Sequence, residues 1–240
     1  MKKTLAGITA VALIATPALS ADLSRPVYTK APPPAPIFSW TGFYIGVEGG
    51  GSWGSSKHVD QPTGLDDTPW FSVNGGLVGG TAGYNWQTGN FVLGVEGDWS
   101  WVSQNGSVAD TGPGGNPAFS SFTKERWLAT ARGRVGYAAN TMLLYVTGGF
   151  AAASVNVGVT STATGFVFDQ TTQTRSGWTG GAGIEWGFAP NWSAKAEYLY
   201  VSLQDSRFVT PNLGPGFNRS NVPLNDNIVR AGVNLRFGAP

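Results

Sequence analysis

The stretch GGLVGGTAGYNWQTGNFVLGVEGDWSW, residues 75–101, decides how the rest of the chain folds. In its second half Phe91, Leu93, Val95, Gly97, Trp99 and Trp101 fall on one face of an alternating pattern. Val92, Gly94, Glu96, Asp98 and Ser100 fall on the other. A period of two is that of a β-strand. The first half alternates likewise, Val78, Gly80, Ala82, Tyr84 and Trp86 opposing Leu77, Gly79, Thr81, Gly83 and Asn85. Thr88-Gly89-Asn90 supplies a residue free to take positive φ, so the two strands form a hairpin. In a water-soluble sheet the apolar face packs on a core and the charged face meets water. Here the polar face is small, sparse and acidic, too narrow for an outer surface. The reverse polarity fits better, with aromatic and aliphatic side chains toward lipid and small or ionised ones toward a lumen.

Composition points the same way. The 240 residues include 35 glycines and 10 tryptophans, with charged residues at only 12%. That suits short strands, tight bends and membrane-interface anchors better than a helical enzyme. The absence of cysteine excludes a disulfide framework, a thiol nucleophile and a thiolate metal site. At the N-terminus, Met1-Lys2-Lys3 is a basic segment, residues 5–15 are an apolar run, and Ala18-Leu19-Ser20 fits a small-x-small cleavage site. Residues 1–20 therefore read as a secretory signal peptide. The apolar run falls short of the ~20 residues a spanning helix needs, and no later stretch reaches that length, so any membrane crossing is made by strands. Formal charge drops by two from +1 to −1 once Lys2 and Lys3 leave with the leader, and no basic surface argues for nucleic acid. Residues 21–39, with Pro26, Pro32, Pro33, Pro34 and Pro36, read as a stiff periplasmic spacer. It could touch peptidoglycan, although a plain linker accounts for it.

Residues 40–240 carry eight strand patterns. From Trp40, Phe43, Ile45 and Val47 oppose Tyr44, Gly46 and Glu48. Two strands are the hairpin. In 123–137, Trp127, Ala129, Ala131, Gly133, Val135 and Tyr137 oppose Lys124, Arg126, Leu128, Thr130, Arg132 and Arg134. Residues 142–155 are apolar on both faces and give no orientation. In 175–188, Trp178, Ala182, Ile184, Trp186 and Phe188 oppose Thr179, Gly181, Gly183 and Glu185. In 192–201, Trp192, Ala194, Ala196, Tyr198 and Tyr200 oppose Ser193, Lys195, Glu197 and Leu199. In 227–237, Val229, Ala231, Val233, Leu235 and Phe237 oppose Ile228, Arg230, Gly232, Asn234 and Arg236. Short turns at 88–90, 139–141 and 189–191 alternate with long segments at 54–74, 103–122, 156–174 and 203–224. Tyr84, Trp86, Phe91, Tyr137, Phe188 and Trp192 lie beside the short turns. Trp99, Trp101, Trp127, Trp178 and Tyr200 lie toward the long segments. The pattern predicts an all-β fold, an eight-stranded antiparallel up-and-down transmembrane β-barrel with short periplasmic turns, long extracellular loops and two aromatic girdles. A soluble lipocalin-like barrel would bury its apolar face, yet ionised residues recur on the minor face.

The run Trp40-Thr41-Gly42-Phe43-Tyr44-Ile45-Gly46 after a Pro-rich linker resembles the first-strand motif of the small outer-membrane immunogenic or porin-like proteins of α-proteobacteria. The resemblance continues through Ala82-Gly83-Tyr84-Asn85-Trp86-Gln87, Gly94-Val95-Glu96-Gly97-Asp98, Tyr145-Val146-Thr147-Gly148-Gly149, Ala196-Glu197-Tyr198-Leu199-Tyr200 and Val233-Asn234-Leu235-Arg236-Phe237. It implies an OmpA-like eight-stranded barrel in the Gram-negative outer membrane, with roles in envelope integrity and surface exposure; members are often called porins. Implied partners are outer-membrane lipid, lipopolysaccharide and the assembly machinery. Such barrels often end on an aromatic residue read by that machinery, whereas Phe237 is here followed by Gly238-Ala239-Pro240.

An eight-stranded barrel is only wide enough to be filled by side chains. Charges held inside it must pair, because isolated buried ions are costly. The expected lumen set is Glu48, Glu96, Asp98, Glu185 and Glu197 with Lys124, Arg126, Arg132, Arg134, Lys195, Arg230 and Arg236. Glu96 and Asp98 are expected opposite Arg132 and Arg134 in a ladder that plugs the lumen; the alternative is a narrow ion or solute path lined by the same residues. Arg132→Ala and Glu96→Ala are each expected to lower thermal stability. No catalytic, cofactor or metal site is expected. Gly50-Gly51-Ser52-Trp53-Gly54 matches G-x-S-x-G, but it ends a strand rather than turning into a helix, and the single histidine, His58, is only six residues on. A lipid-modifying enzyme using Ser52 and His58 is the minor reading. Asp66-Asp67 falls short of the 6–8 oxygens that calcium takes.

Overall fold

The computed structural model describes residues 38–60, 63–208 and 220–237. The expected leader, spacer residues 21–37 and the Gly238-Ala239-Pro240 tail lie outside the described residues. Strands follow the alternation. They are β1 (Gly42–Ser56), β2 (Val59–Asp60), β3 (Phe71–Thr88), β4 (Phe91–Ala109), β5 (Phe119–Ala139), β6 (Met142–Ser161), β7 (Val167–Ala189), β8 (Trp192–Phe208) and β9 (Ser220–Phe237). Each of the eight long strands pairs antiparallel with its sequence neighbour, and β1 pairs with β9, which closes the ring. The two-residue β2 is an edge piece on β9. Closure leaves no unpaired strand edge facing lipid, where each unmatched backbone group would cost several kcal/mol.

Between the girdles the polarity is inverted as the hairpin predicts. Val47 is 68% exposed while its neighbour Glu48 is 3% exposed. Phe91 and Tyr137 pack edge to face at one end, and Trp99 and Trp101 at the other. The ten-residue step from Phe91 to Trp101, at ~3.3 Å per residue and a tilt of ~40°, spans ~25 Å, the height of the apolar band of such barrels. The two-residue turns sit beyond the Phe91 end. Gly89 has φ of 59° and Asn140 φ of 54°, the left-handed conformation a tight hairpin needs.

Beyond the outer tryptophans the strands continue. Pairing runs to Ala109 and resumes at Phe119, then runs to Ser161 and resumes at Val167. Much of the polar sequence expected as loop is therefore strand, leaving the connections 110–118 and 162–166. The physical reason is a change of solvent. Here the outward faces meet water, so polar residues such as Ser103, Asn105 and Ser202 point out and apolar ones point in. Phe71, Val73, Leu77, Val102, Val155, Val157, Val159, Leu203 and Leu224 form a buried cluster inside the outer part of the ring. The two apolar faces of 142–155 are thereby resolved. Leu144 and Val146 face lipid, whereas Leu143, Ala151 and Val155 face inward.

The connection 110–118 docks on Asp66 and Asp67, in the connection between β2 and β3. Gly112 N donates to Asp67 O at 2.9 Å and Gly114 N to Asp66 O at 3.0 Å. At its root Asp110 is buried, and burial pushes its carboxyl up to about 6, against the opposing pull of hydrogen bonds from Ser121. A raised folded-state pKa means that the stabilisation is fully present below the ordinary value of 3.8 and is lost as pH rises through about 6. Amide-exchange protection factors over 110–118 are expected to fall between pH 5 and pH 7.5, and Asp110→Asn to remove that fall. A flat wild-type profile would contradict the linkage.

Candidate functional site: the lumen

The inner face of the membrane-spanning part carries Glu48, Glu96, Asp98, Glu185 and Glu197 with Arg132, Arg134, Lys195 and Arg230, all buried. Their pairing runs across the lumen as well as along adjacent strands. Arg230 of β9 pairs with Glu48 of β1, with Asp98 of β4 at 3.0 Å and with Glu197 of β8 at 2.7 Å. Lys195 Nζ lies 3.0 Å from Glu48 and 3.2 Å from Glu96. Arg132 pairs with Glu96, with Asp98 at 3.0 Å and with Glu197 at 3.0 Å. Register places Arg132 opposite Glu96 but Arg134 opposite Gly94. Arg134 therefore reaches Glu185 on β7 at 3.1 Å, with Glu96 farther off at 3.7 Å. The result is a cross-braced cluster rather than a two-strand ladder.

Neutral groups complete it. Tyr44 Oη donates to Glu96 at 2.7 Å and Tyr145 Oη to Glu197 at 3.1 Å, and the Arg134 guanidinium lies 4.9 Å from each tyrosine ring. Thr130 Oγ1 donates to Asp98, while Ser193 Oγ and Asn234 Nδ2 donate to Glu185. Both tyrosines depend on glycines. Tyr44 is in register with Gly83 and Tyr145 with Gly183, and a Cβ on either glycine would collide with the opposing phenol. Gly83→Val is expected to destabilise by ~1–3 kcal/mol through overpacking, read as an earlier urea midpoint in detergent. An unchanged midpoint would show that the ring can move aside.

Three expected members lie elsewhere. Lys124 and Arg126 point outward and are exposed. Pairing of β4 with β5 steps from Trp101↔Trp127 to Gln104↔Glu125, leaving Val102, Ser103 and Arg126 unmatched. Such a bulge moves the following residues to the opposite face, so Glu125 takes the inward place and Lys124 does not. Arg236 is buried but sits below the cluster, its guanidinium 4.6 Å from the Phe38 ring and 4.7 Å from Trp40, donating to Ser39 O. Trp40, expected to open the first strand, instead tucks wholly buried into the end of the ring beside Val92, Ala138 and Leu143. Its N–H donates to Gln87 Oε1 at 2.7 Å and its indole to Asn140 O at 3.3 Å. Residues 38–41 thus cork the periplasmic mouth. The signal available in the sequence was the unpaired tryptophan directly after the proline spacer.

Ser52 and His58 make separate contacts. Ser52 Oγ donates to Gly75 O at 3.4 Å, and His58 Nε2 lies 3.4 Å from Thr123 Oγ1. Burial, reinforced by the nearby Arg175 charge, pushes His58 down to about 3. Among the described residues no group of three or more His, Cys, Asp or Glu is placed to hold a metal ion.

A closed antiparallel ring, oily outside between two aromatic belts and ionic within, defines a transmembrane β-barrel of the outer-membrane class. The chain belongs to the outer membrane protein beta-barrel domain family, whose profile matches residues 6–237. It is 38% identical to the 31 kDa outer-membrane immunogenic protein of Brucella melitensis biotype 1, across 94% of this chain and 96% of that protein. It is 32% identical to the 22 kDa outer membrane protein of Rhizobium leguminosarum bv. viciae, across 85% and 82%. Among solved structures, Neisserial surface protein A aligns over 82% of this chain and 98% of its own, with a TM-score of 0.43 and 16% identity. The protein is an outer-membrane protein.

Proposed function

We propose that the protein is a surface-exposed structural component of the envelope whose lumen is closed to solutes. The observation that carries this is Arg230, which joins carboxylates from three other strands across the interior. A path for ions would have to break these contacts, each between groups already removed from bulk water. The Trp40 cork below and the apolar cluster above support the same reading. Purified protein in planar bilayers is expected to give no steady single-channel current at moderate voltage. Reproducible unitary currents would replace this reading with that of a small porin. The separate hydrogen-bond partners of Ser52 and His58 support a non-enzymatic role. Ser52→Ala and His58→Gln are expected to leave lipid A composition unchanged, and an altered acylation pattern would revive the lipid-modifying alternative.

A further inference from the structure

Lys124 and Arg126 stand where the wall of the barrel changes solvent. Trp101 and Trp127, directly opposed across β4 and β5, mark the outer limit of the apolar band. Immediately above them the pairing opens, and a notch of about 410 Å³ occupies the gap. Its outward rim is Ser103, Asn105, Lys124 and Arg126; its floor is Gln104 and Glu125, whose side chains are buried on the lumen side. Among the described residues no carboxylate forms an ion pair with either cation, whereas the lumen cations Arg132, Arg134, Lys195 and Arg230 are all paired. Lys124 Nζ lies 5.0 Å from the Phe122 ring, which holds it near the wall.

Below the notch the lipid-facing side of the same two strands carries the small residues Gly97, Ala129 and Ala131. Gly97 faces Ala131, and Ala129 follows on the same face of β5, so these small residues leave a trough. The edge-to-face pair Trp99 and Trp101, with ring centroids 4.1 Å apart, bounds it on one side. Phe150, opposite Ala131 on β6, bounds it on the other. Two unpaired cations at headgroup depth above a shallow apolar trough match one kind of ligand, an anionic headgroup with an acyl chain attached. Guanidinium and ammonium groups bind phosphate through short charge-assisted hydrogen bonds, and Ser103 and Asn105 add neutral ones.

We infer that this notch is a binding site for a phosphorylated glycolipid of the outer leaflet, its phosphate on Lys124 and Arg126 and one acyl chain in the trough. The site requires placement in the outer membrane but not a closed lumen, so bilayer currents would leave it standing. The test uses folded protein stripped of endogenous lipid in detergent and analysed by native mass spectrometry. The probes are lipid A bearing two phosphates, the same glycolipid without phosphates, and inorganic phosphate. One phosphorylated lipid is expected to be retained, the dephosphorylated form to be lost, and inorganic phosphate to compete poorly because it cannot fill the trough. Lys124→Gln with Arg126→Gln should weaken retention at least about tenfold, the loss of a single charge-assisted contact being enough for that. Lys124→Arg with Arg126→Lys should retain it. All variants change exposed side chains, and heat-modifiable gel mobility verifies that they fold. Equal retention by the double glutamine variant, or of the dephosphorylated lipid, overturns the site; ready displacement by inorganic phosphate overturns the trough and with it the lipid as ligand.

Discussion

Arg230→Met is expected to destabilise the barrel by ~3–5 kcal/mol, the cost of removing one partner from a buried ion cluster. The reason lies in the count around that one side chain. The cluster holds five carboxylates, Glu48, Glu96, Asp98, Glu185 and Glu197, against four cations, with Arg236 one tier below as the fifth. Arg230 hydrogen-bonds three of the carboxylates at once, with Glu96 farther off at 4.0 Å, and its Nε and Nη2 both donate to Glu197. Without it Glu48 keeps Lys195, Asp98 keeps Arg132 and Thr130, and Glu197 keeps Arg132 and Tyr145. Each would then be under-compensated in a space that excludes bulk water. Methionine preserves most of the aliphatic volume, so the loss isolates charge rather than packing. The urea midpoint of tryptophan fluorescence in detergent or lipid vesicles is the readout, with heat-modifiable mobility as a second. Adding Glu197→Gln to Arg230→Met should recover part of the loss, because it removes one of the stranded charges. Lys124→Gln, outside the lumen, should shift the midpoint by no more than ~0.5 kcal/mol. A wild-type midpoint for Arg230→Met would falsify the view that the cluster braces the ring.

What could be read from the chain, and what could not, divides at the outer tryptophans. Below them a period of two, glycine-bearing turns and paired aromatics sufficed to place Glu48, Glu96, Asp98, Arg132, Lys195, Glu197 and Arg230 on one face. Every strand there meets lipid on one side and a packed interior on the other, so one rule serves all eight. Above them the outside medium is water and the rule inverts. The same sequence that looks like loop, SQNGSVA at 103–109, is strand with Gln104 inward. The bulge between Glu125 and Trp127 then flips Lys124 relative to Arg132, and no glycine or proline marks it. Partner choice was a different matter. Period fixes the face of a residue, not its reach, and Arg134 on β5 pairs with Glu185 on β7, two strands away around the ring, because guanidinium length spans a narrow lumen. Tyr44 was legible as inward from its place on the face of Glu48, whereas Tyr145 lies in 142–155, whose two apolar faces gave no orientation; for both, the role as carboxylate donor depends on cross-lumen geometry that alternation does not encode.

Trp40→Ala is expected to have an effect of similar size by a different mechanism, and to open the periplasmic end. The indole is wholly buried and packs at 4.9 Å on Phe38, and its ring lies 4.7 Å from the Arg236 guanidinium. Truncating a buried aromatic costs ~3–5 kcal/mol where the surroundings cannot collapse, and a hydrogen-bonded β-barrel wall collapses little. Loss of the indole also removes its hydrogen bond to Asn140 O, in the turn that joins β5 to β6. A structural defect alone would change stability without changing access, so access needs its own measurement. The chain has no cysteine, which makes a single introduced thiol a clean probe. Ser193 is buried beside Glu185, on the inner face of β8 one residue past the Pro190-Asn191 turn and Trp192. In the Ser193→Cys background, a small water-soluble maleimide supplied from the periplasmic side should label folded protein slowly. Adding Trp40→Ala should raise the rate at least about tenfold, equivalent to ~1.4 kcal/mol of easier opening. Adding Trp53→Ala, a change on the lipid-facing side of β1, should leave it unaltered. If the thiol reacts at the same rate with and without Trp40, the mouth is closed by the strands themselves, and the segment from Phe38 to Thr41 is packing without a barrier role.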